Sequence, residues 1–408
     1  MNYIPYAVPF FILALFGEFI YGWFRKNNTY RLADTINSLQ MGTLSRLRGV
    51  IQIGLVGVTF DALVADWTLL DLNAGNPWTW VFAFVAYDLC YYFSHRYGHE
   101  WRILWASHVV HHQSEEYNLS TALRQTSTGW LNAVFYLPLY FIGVPVELMI
   151  SVGSLNLIYQ FWVHTEHVRR IGWLEWIMVS PSNHRVHHAK NPCYIDKNYG
   201  GVFIVWDRLF GTYYAERDDE PCRYGITAQL NSWNPIWANL QGWHDTAYQS
   251  WHTPRWGDKV RVWFKSPAWN APDVQVRDYD WQATKFAPNA QPKLRTISFI
   301  QFWPTVAAIF LLTGFADQLN QPQILICVAW LAFGFFVQGL MLEGRSITRY
   351  LEWLRIATGL ALAIWLPLST FYDQVAIGYF TASAFLSIAL IRMNAKTDQS
   401  GDRLQSPG

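Results

Sequence analysis

The sequence has few charged residues and few cysteines, and each shortage excludes a class of protein. Charged residues make up 14% of the 408 residues, against about 25% in soluble proteins. The net charge is only +1, so no surplus of lysine and arginine exists to neutralise phosphates, and nucleic acid is excluded as a partner. The four cysteines lie far apart without CxxC spacing, which excludes a disulfide scaffold: Cys90, Cys193, Cys222 and Cys327.

Apolar residues, by contrast, are abundant enough to favour a polytopic membrane protein. They make up 52% of the chain, aromatic residues make up 17%, and 23 residues are tryptophan. A helix needs about 20 residues to cross a bilayer, and we predict an all-α bundle with about nine membrane segments. Two short ones form a hairpin around 143–145. The predicted segments are 3–23, 49–69, 78–93, 130–141, 146–163, 299–315, 323–341, 353–371 and 375–391.

The distribution of basic residues predicts the orientation of these segments. The loop 71–77 has no lysine or arginine, so by the positive-inside rule it lies away from the cytoplasm. The histidine clusters then form a helical cap on the cytoplasmic face, of the inner membrane in a bacterium or the endoplasmic reticulum in a eukaryote. The basic residues that mark the cytoplasmic side early in the chain are Arg25, Lys26, Arg31, Arg46 and Arg48.

Composition divides the chain into five predicted regions. Residues 1–77 are an N-terminal membrane anchor, and 78–218 form the catalytic region with every clustered histidine. Residues 219–295 are a cytoplasmic segment rich in tryptophan and proline, which suits a surface at the headgroup level or packing against the catalytic region. The C-terminal membrane bundle covers 296–393, and 394–408 is a disordered tail.

Eight of the twelve histidines fall into three clusters with the spacing of metal ligands on helices. Positions i and i+4 lie roughly 40° apart on a helix, and we expect each cluster to aim all its imidazoles at one point. Eight ligands exceed the need of one ion and match two ions with about four each. The clusters are His95 and His99 in HRYGH, His108, His111 and His112 in HVVHH, and His184, His187 and His188 in HRVHH.

A fourth pair, His164 and His167, follows the hairpin. His164 ends an apolar segment and would point back toward the clusters, so we predict it to be a further ligand. His167 is expected at the surface. His244 and His252 lack paired helical spacing, and a capping or hydrogen-bonding role is expected for both, with a contribution to the metals left open.

Two carboxylates lie where support of the ligands is expected, because ligating histidines donate their second N–H to a carboxylate or a carbonyl. Asp88 precedes His95 by seven residues on the same helical face, and a carboxylate near the end of a span needs a partner. Glu100 directly follows His99. Both are predicted to support the metal site.

The all-imidazole ligand set limits which metals can bind and which reactions they can catalyse. Neutral imidazole suits iron, zinc and copper, and no ExxH pair lies in the spans, so the carboxylate-based di-iron pattern of soluble ferritin-like proteins is absent. An all-histidine pair of metals beside a membrane indicates oxidation of an unactivated C–H bond in a lipid. Dioxygen and lipid both partition into the bilayer, so they are the expected reactants.

At these clusters the sequence resembles the fatty acid hydroxylase and sterol desaturase superfamily, whose members are membrane non-haem di-iron oxidases. Their HxxxH, HxxHH and later HxxHH motifs are matched position by position. The stretches 115–125, 159–166, 183–201 and 206–216 are similar to the branch that hydroxylates the ether-bearing carbon of alkyl glycerols with tetrahydrobiopterin and dioxygen. The resemblance implies that the eight clustered histidines bind two Fe²⁺ ions. It also matches Glu100 to a glutamate associated with pterin-dependent activity.

The reaction implied by this resemblance inserts one oxygen atom beside the ether oxygen, and the product collapses to an aldehyde. Hydroxylation or desaturation of a fatty acid or a sterol with an external electron donor is the alternative within the superfamily. A metal transporter is the alternative from another class, but it would need a polar path through the spans. The early spans hold only the isolated acids Glu18, Asp61 and Asp66. The oligomeric state is left open.

Overall fold

The protein is all-helical in the computed structural model, which describes residues 1–51, 67–276 and 279–366, with no side chain described at 48–51, 315 and 317. No strand occurs among these residues, and two isolated bridges pair Met178 with Phe203 and Ala189 with Tyr224. The predicted all-α class is therefore confirmed. The predicted segment 375–391, the tail 394–408 and most of segment 49–69 lie outside the described residues.

Fourteen α-helices are described, and short 3₁₀ helices cover Gly129–Tyr136, Gly172–Trp176 and Ala316–Gln318. The α-helices are α1 (Ile4–Phe24), α2 (Leu32–Ile51), α3 (Pro77–Glu100), α4 (Arg102–His112), α5 (Leu119–Ala122), α6 (Leu137–Ile142), α7 (Val146–Trp162), α8 (Pro181–His188), α9 (Val205–Leu209), α10 (Pro235–His252), α11 (Trp256–Phe264), α12 (Pro292–Phe315), α13 (Gln321–Glu343) and α14 (Thr348–Trp365).

Local sequence signals explain where the site-bearing helices α3 and α8 begin. The Asn76 side chain accepts a hydrogen bond from the Trp78 N–H ahead of α3, and Pro77 occupies a first-turn position where no N–H is needed. At α8 the Ser180 and Asn183 side chains form a reciprocal capping box. Strong caps let α8 form although it has only 8 residues.

The predicted hairpin at 130–163 turns where expected, but its first arm is not one α-helix. A 3₁₀ helix leads into α6, and α7 forms the second arm. Gly143 turns the chain with φ of +99°, and a Cβ there would lie 1.9 Å from the Leu70 carbonyl oxygen. Only glycine fits this turn, because the left-handed backbone and the close approach both exclude a side chain.

Three described helices are long and apolar enough to cross a membrane: Ile4–Phe24, Pro292–Gly314 and Gln321–Glu343. This finding supports a membrane protein. It does not test the predicted number of nine segments. The chain forms two compact units. Among the described residues, the first contains 1–45, 67–231, 238–276 and 279–285, and the second contains 46–51, 232–237 and 286–366.

In the first unit, Glu18 of α1 is buried. It is not the isolated acid that the sequence suggested. Its carboxylate accepts hydrogen bonds from the Leu119 N–H at 2.8 Å and from the hydroxyls of Tyr30 and Thr165. These partners satisfy a charge that apolar surroundings would otherwise penalise. The bonds also hold α1 against the segment that carries His164.

In the second unit, a polar cluster joins α12 and α14. The buried Arg355 guanidinium forms two hydrogen bonds with the Glu352 carboxylate, and the Gln301 amide donates to the same carboxylate at 2.8 Å. Polar groups within apolar helices are stable when they pair with each other in this way. The cluster therefore fixes the register of two helices.

Candidate metal centre

The first histidine pair lies in the last turns of α3. His95 and His99 are buried one turn apart. Trp101 has an extended backbone (φ −112°, ψ 120°) that ends α3, and α4 begins at the next residue. The chain therefore turns immediately after His99, and the ring centroids of His99 and His108 lie 4.8 Å apart.

The histidines converge on two groups, and within each group the ligand atoms lie within 4.8 Å of one another. All nine predicted ligands are included, and His164 is among them. The five-histidine group contains His95, His99, His108, His112 and His187. The four-histidine group contains His111, His164, His184 and His188.

The expectation that each cluster aims at one point is wrong for both HxxHH motifs. On α4, His108 and His112 belong to the five-histidine group, whereas His111 belongs to the other. On α8, His187 is likewise separated from its two neighbours. The reason is helix geometry: i and i+4 lie roughly 40° apart, but the adjacent positions i+3 and i+4 lie about 100° apart and face different sides. Each motif therefore bridges both groups.

Facing lone pairs in the four-histidine group indicate a missing cation. The Nδ1 atoms of His111 and His164 each donate to a carbonyl oxygen, of Arg124 at 2.9 Å and of Gln160 at 2.8 Å. In these neutral rings both Nε2 atoms then carry lone pairs, and they lie only 3.2 Å apart. Two nitrogens at right angles on one ion stand about 3.0 Å apart for metal–nitrogen bonds of about 2.1 Å. The distances fit two ligands of a shared ion.

The five-histidine group shows the same arrangement of ring nitrogens. His95 Nδ1 donates to the Tyr199 carbonyl at 2.7 Å and His187 Nδ1 to the Lys197 carbonyl at 3.0 Å. The Nε2 atoms of His95, His99 and His187 are buried and have no hydrogen-bond partner. Buried polar atoms without partners are costly, so these nitrogens fit a set of metal ligands.

Burial keeps the imidazoles neutral. It lowers the pKa of His95 to about 3 and that of His111 to about 4, while the backbone hydrogen bond of each ring opposes the shift. For the other seven histidines burial lowers the pKa well below the ordinary value of 6.5. Neutral imidazole is the form that binds a metal ion, so the site needs no deprotonation at neutral pH.

Asp88 supports the site indirectly, because its described hydrogen bonds come from α7 and from the segment 202–206, and not from a histidine. Its two carboxylate oxygens accept from the backbone N–H groups of Val202 and Phe203, the Trp206 indole and the Asn156 amide, at 2.7–3.0 Å. The loop they hold begins at Tyr199, whose carbonyl accepts from His95. The predicted partner for a carboxylate in α3 is therefore the 202–206 segment.

Among the described residues, the hydrogen-bond partner of the Glu100 carboxylate is an arginine and not a histidine. Its carboxylate accepts from the Arg96 guanidinium one turn earlier at 2.8 Å, and Arg96 also donates to the Tyr92 hydroxyl at 3.3 Å. Asp196, and not Glu100, is the carboxylate beside a ligand ring, 3.9 Å from His99 Nδ1.

The three remaining histidines lie outside both groups. His167 is not the surface residue expected, since its Nε2 is buried and its ring packs edge-on against Tyr21 with centroids 5.2 Å apart. His244 pairs with Asp245 at 3.0 Å, and His252 donates to the carbonyl oxygen of Tyr248 at 2.8 Å, so both form hydrogen bonds as predicted.

Asp207 is a buried supporting residue that the sequence reasoning missed. Its carboxylate accepts from the backbone N–H groups of Tyr199 and Gly200 and from the Thr212 hydroxyl, each at 2.7 Å. These bonds fix the peptide whose carbonyl orients His95. Burial raises the pKa of Asp207 to about 6 against these hydrogen bonds, which lower it. The available sequence signal was an aspartate between large apolar residues in WDRLF.

A cavity of about 710 Å³ opens beside the five-histidine group, within the about 300–1,000 Å³ typical of small-molecule sites. His99, His112 and His187 form part of its wall, and no member of the four-histidine group is among the described residues that line it. Trp105 and Val109 of α4 add apolar wall next to the histidines. A molecule in the cavity therefore lies beside the five-histidine group.

Comparison with known proteins places this arrangement in a family. The fatty acid hydroxylase family profile matches residues 80–212. The chain is 35% identical to alkylglycerol monooxygenase of Homo sapiens over 367 residues, covering 87% of this chain and 81% of that protein. The chain belongs to the fatty acid hydroxylase family. The superfamily resemblance read from the histidine motifs is thereby confirmed.

Further relatives agree with this membership. Alkylglycerol monooxygenase of Danio rerio is 34% identical over 366 residues, covering 87% of this chain and 80% of that protein. Ornithine lipid hydroxylase OlsE of Rhizobium tropici is 27% identical over 239 residues, covering 56% of this chain and 71% of that protein. No solved structure matches significantly. The chain is thus an oxidoreductase of the monooxygenase class, and its histidine groups fit the non-haem iron of that family.

Proposed function

We propose that this protein is a membrane di-iron monooxygenase that hydroxylates the ether-adjacent carbon of alkylglycerol-type lipids with dioxygen and a reduced pterin. One observation carries the metal chemistry: the lone pairs of the neutral imidazoles of His111 and His164 face each other at 3.2 Å, an arrangement that a shared cation would stabilise. The substrate follows from relatives named alkylglycerol monooxygenase that align with most of the chain.

The overall reaction balances with two electrons from the donor. The lipid R–CH₂–O–glycerol, dioxygen, two electrons and two protons give R–CH(OH)–O–glycerol and water. The hemiacetal then loses its hydroxyl proton, its C–O bond to glycerol breaks, and an aldehyde and a glycerol are released. Iron, when bound, supplies the activation of dioxygen that attack on an unactivated C–H bond requires.

The protein's own residues hold the ligands and place the lipid. We assign two Fe²⁺ ions to the two groups, with the eight clustered histidines and His164 as ligands. The carbonyls of Tyr199, Arg124, Gln160 and Lys197 orient four of the rings and leave each Nε2 directed at the ions. The cavity wall of His99, His112 and His187 places a bound molecule beside the five-histidine group, and holding one carbon of a long chain there is the main task of positioning.

The electron donor is proposed to be tetrahydrobiopterin. The support is the similarity to alkylglycerol monooxygenases. The same resemblance matches Glu100 to a glutamate associated with pterin-dependent activity. Glu100 is only partly buried and is held by Arg96, so a role would be exerted from the edge of the site near Asp196.

The topology proposed from the sequence completes this assignment. It has nine membrane segments and a cytoplasmic histidine cap. Its five regions are the N-terminal anchor (1–77), the catalytic region (78–218), the cytoplasmic segment (219–295), the C-terminal membrane bundle (296–393) and the tail (394–408). Cytoplasmic placement gives the site access to a water-soluble donor, while the lipid substrate arrives from the bilayer.

An oxygen-dependent assay on an alkyl glycerol, with and without tetrahydrobiopterin, tests the function. We expect aldehyde release that requires both dioxygen and the pterin, in a preparation carrying two irons per chain. Metal content alone decides nothing, since imidazole sites also take zinc.

Hydroxylation of another membrane lipid with an external reductase is the second candidate, favoured by the likeness to an ornithine lipid hydroxylase. If no pterin supports turnover of the alkyl glycerol, while a reductase supports hydroxylation of a fatty acid, a sterol or an amino-acid lipid, the second candidate replaces the first.

A further inference from the structure

Helix α11 carries an apolar stripe that faces outward. Trp256, Val260 and Phe264 are spaced i, i+4 and i+8, which puts them on one face, and they are 82%, 61% and 55% exposed. Asp258 and Val262 on the opposite face are buried. A surface helix in water normally shows the reverse pattern, with its apolar stripe buried and its polar face outward.

Basic residues surround this stripe. Between 255 and 265 there are four of them and a single acid, Asp258, which pairs with Arg261. Asp273 pairs with Arg255, so the local charge with Asp273 included is +2. Trp251, at the end of α10, adds a further exposed tryptophan, and the Lys259 ammonium donates to its carbonyl at 2.8 Å. Exposed tryptophan flanked by lysine and arginine is the composition of helices that lie in the headgroup layer of anionic membranes. The basic residues are Arg255, Lys259, Arg261 and Lys265.

Hydrogen bonds fix α11 in place. The Trp263 indole donates to the Ser250 hydroxyl at 3.1 Å, and that hydroxyl donates to the Lys259 carbonyl at 2.9 Å. At the end of α11 the backbone N–H of Arg102 donates to the Lys265 carbonyl at 3.0 Å. Because Arg102 begins α4, the stripe is tied to the helix that carries His108, His111 and His112.

The stripe also borders the cavity. Ser266, Pro267 and Ala268, which directly follow α11, line the cavity, and Tyr248 lines it from α10 while remaining partly exposed. The cavity wall is thus continuous along the chain with the outward apolar surface.

We propose that the surface formed by Trp251, Trp256, Val260 and Phe264 with its basic flank docks into the headgroup layer of the bilayer, next to the cavity that lipid enters. The net positive charge favours an anionic lipid surface over an apolar protein partner. Candidate span α1 belongs to the same compact unit, so this unit is itself expected to meet a bilayer. The docking stands independently of the substrate, whereas the delivery of lipid to the cavity rests on the proposed function.

Depth measurement by electron paramagnetic resonance tests the docking. Val260→Cys and, separately, Phe264→Cys carry a nitroxide in the full chain, with the four native cysteines replaced, in nanodiscs containing phosphatidylglycerol. We expect high accessibility to dioxygen and low accessibility to a water-soluble nickel chelate at both positions. Asp218→Cys, whose native side chain is almost fully exposed, is the matched control and should show the opposite accessibilities. Iron content equal to that of the parent protein checks folding.

Two outcomes overturn the docking. The surface faces water if the labels at 260 and 264 are as accessible to the nickel chelate as the label at 218. Labels protected from both reagents mean that protein covers it, either another part of this chain or a second copy.

Turnover tests the delivery of lipid separately. Val260→Asp should lower kcat/KM for an alkyl glycerol presented in vesicles by about tenfold, since a carboxylate resists entry into the headgroup region, and Val260→Leu should not. Equal rates for both variants would refute delivery of lipid. If the depth result holds but no variant and no parent protein turns over the lipid, the docking stands and the proposed function fails.

Discussion

His164 and His167 show how the role of a residue depends on its surroundings at the scale of single side chains. They are separated by three positions at the end of α7, and spacing alone allows both to face the same ion. The His164 Nε2 lies 3.1 Å from that of His184 and 3.2 Å from that of His111. His167 packs on Tyr21 of α1 instead. Packing against α1 therefore separates two residues that the sequence pairs.

Replacement of His164 tests the four-histidine group. His164→Ala should reduce iron from two to about one per chain and abolish turnover, because the group would keep three imidazoles and lose the ring that faces both His111 and His184. Iron is measured by mass spectrometry on purified protein. His167→Ala is the matched control and should keep both irons; equal metal loss in the two variants would contradict the assignment of His164.

Asp88→Asn tests a residue that holds the 202–206 loop. Each Asp88 oxygen accepts two hydrogen bonds, so an amide NH₂ in place of one oxygen would strand two buried donors at about 1–3 kcal/mol each. We expect a clear fall in the thermal unfolding midpoint and weaker iron retention. Glu100→Gln, on the same helix, removes one partly exposed ion pair worth about 0–1 kcal/mol and should leave the midpoint nearly unchanged. A raised KM for the pterin in that control would support the pterin role of Glu100.

At the scale of helices, α4 and α10 approach closely where two small residues meet. A Cβ built on Gly242 of α10 would lie 2.6–3.0 Å from backbone atoms of Ala106 on α4. Backbone atoms cannot yield as a flexible side chain would, so the approach requires glycine. This approach positions α4, and with it three histidines and one wall of the cavity.

Gly242→Ala tests this helix packing. The methyl group should force α10 away from α4 and destabilise the protein by about 1–3 kcal/mol, as other overpacked sites do. The thermal midpoint and the iron content are the measurements. Gly98→Ala is the control, since a Cβ there meets only His108 side-chain atoms at 3.7–3.9 Å. Equal thermal midpoints for the two variants would contradict the conclusion that the close approach of α4 and α10 requires glycine at 242.

At the scale of the whole molecule, the sidedness proposed from basic residues remains to be tested. Asp71→Cys and Asp218→Cys, each made with the four native cysteines replaced, place single thiols at exposed positions. In right-side-out bacterial spheroplasts we expect a membrane-impermeant maleimide to label residue 71 only, and in inverted vesicles residue 218 only. Labelling of both from one side would exclude an odd number of crossings between these positions.

The sequence by itself determined the helical class and the three histidine clusters, and it predicted two metals, since ligand types and helical spacing are local properties of the chain. Helical spacing separates the adjacent imidazoles of each HxxHH motif, but only the tertiary structure decided which group each ring joins, because that requires the orientation of α4 and α8 relative to α3. The partners of Asp88 lie 68–118 positions away along the chain, and no local pattern encodes such pairings. The role of Asp207 was hidden for the same reason: a buried carboxylate is identified by the N–H groups that the fold brings to it.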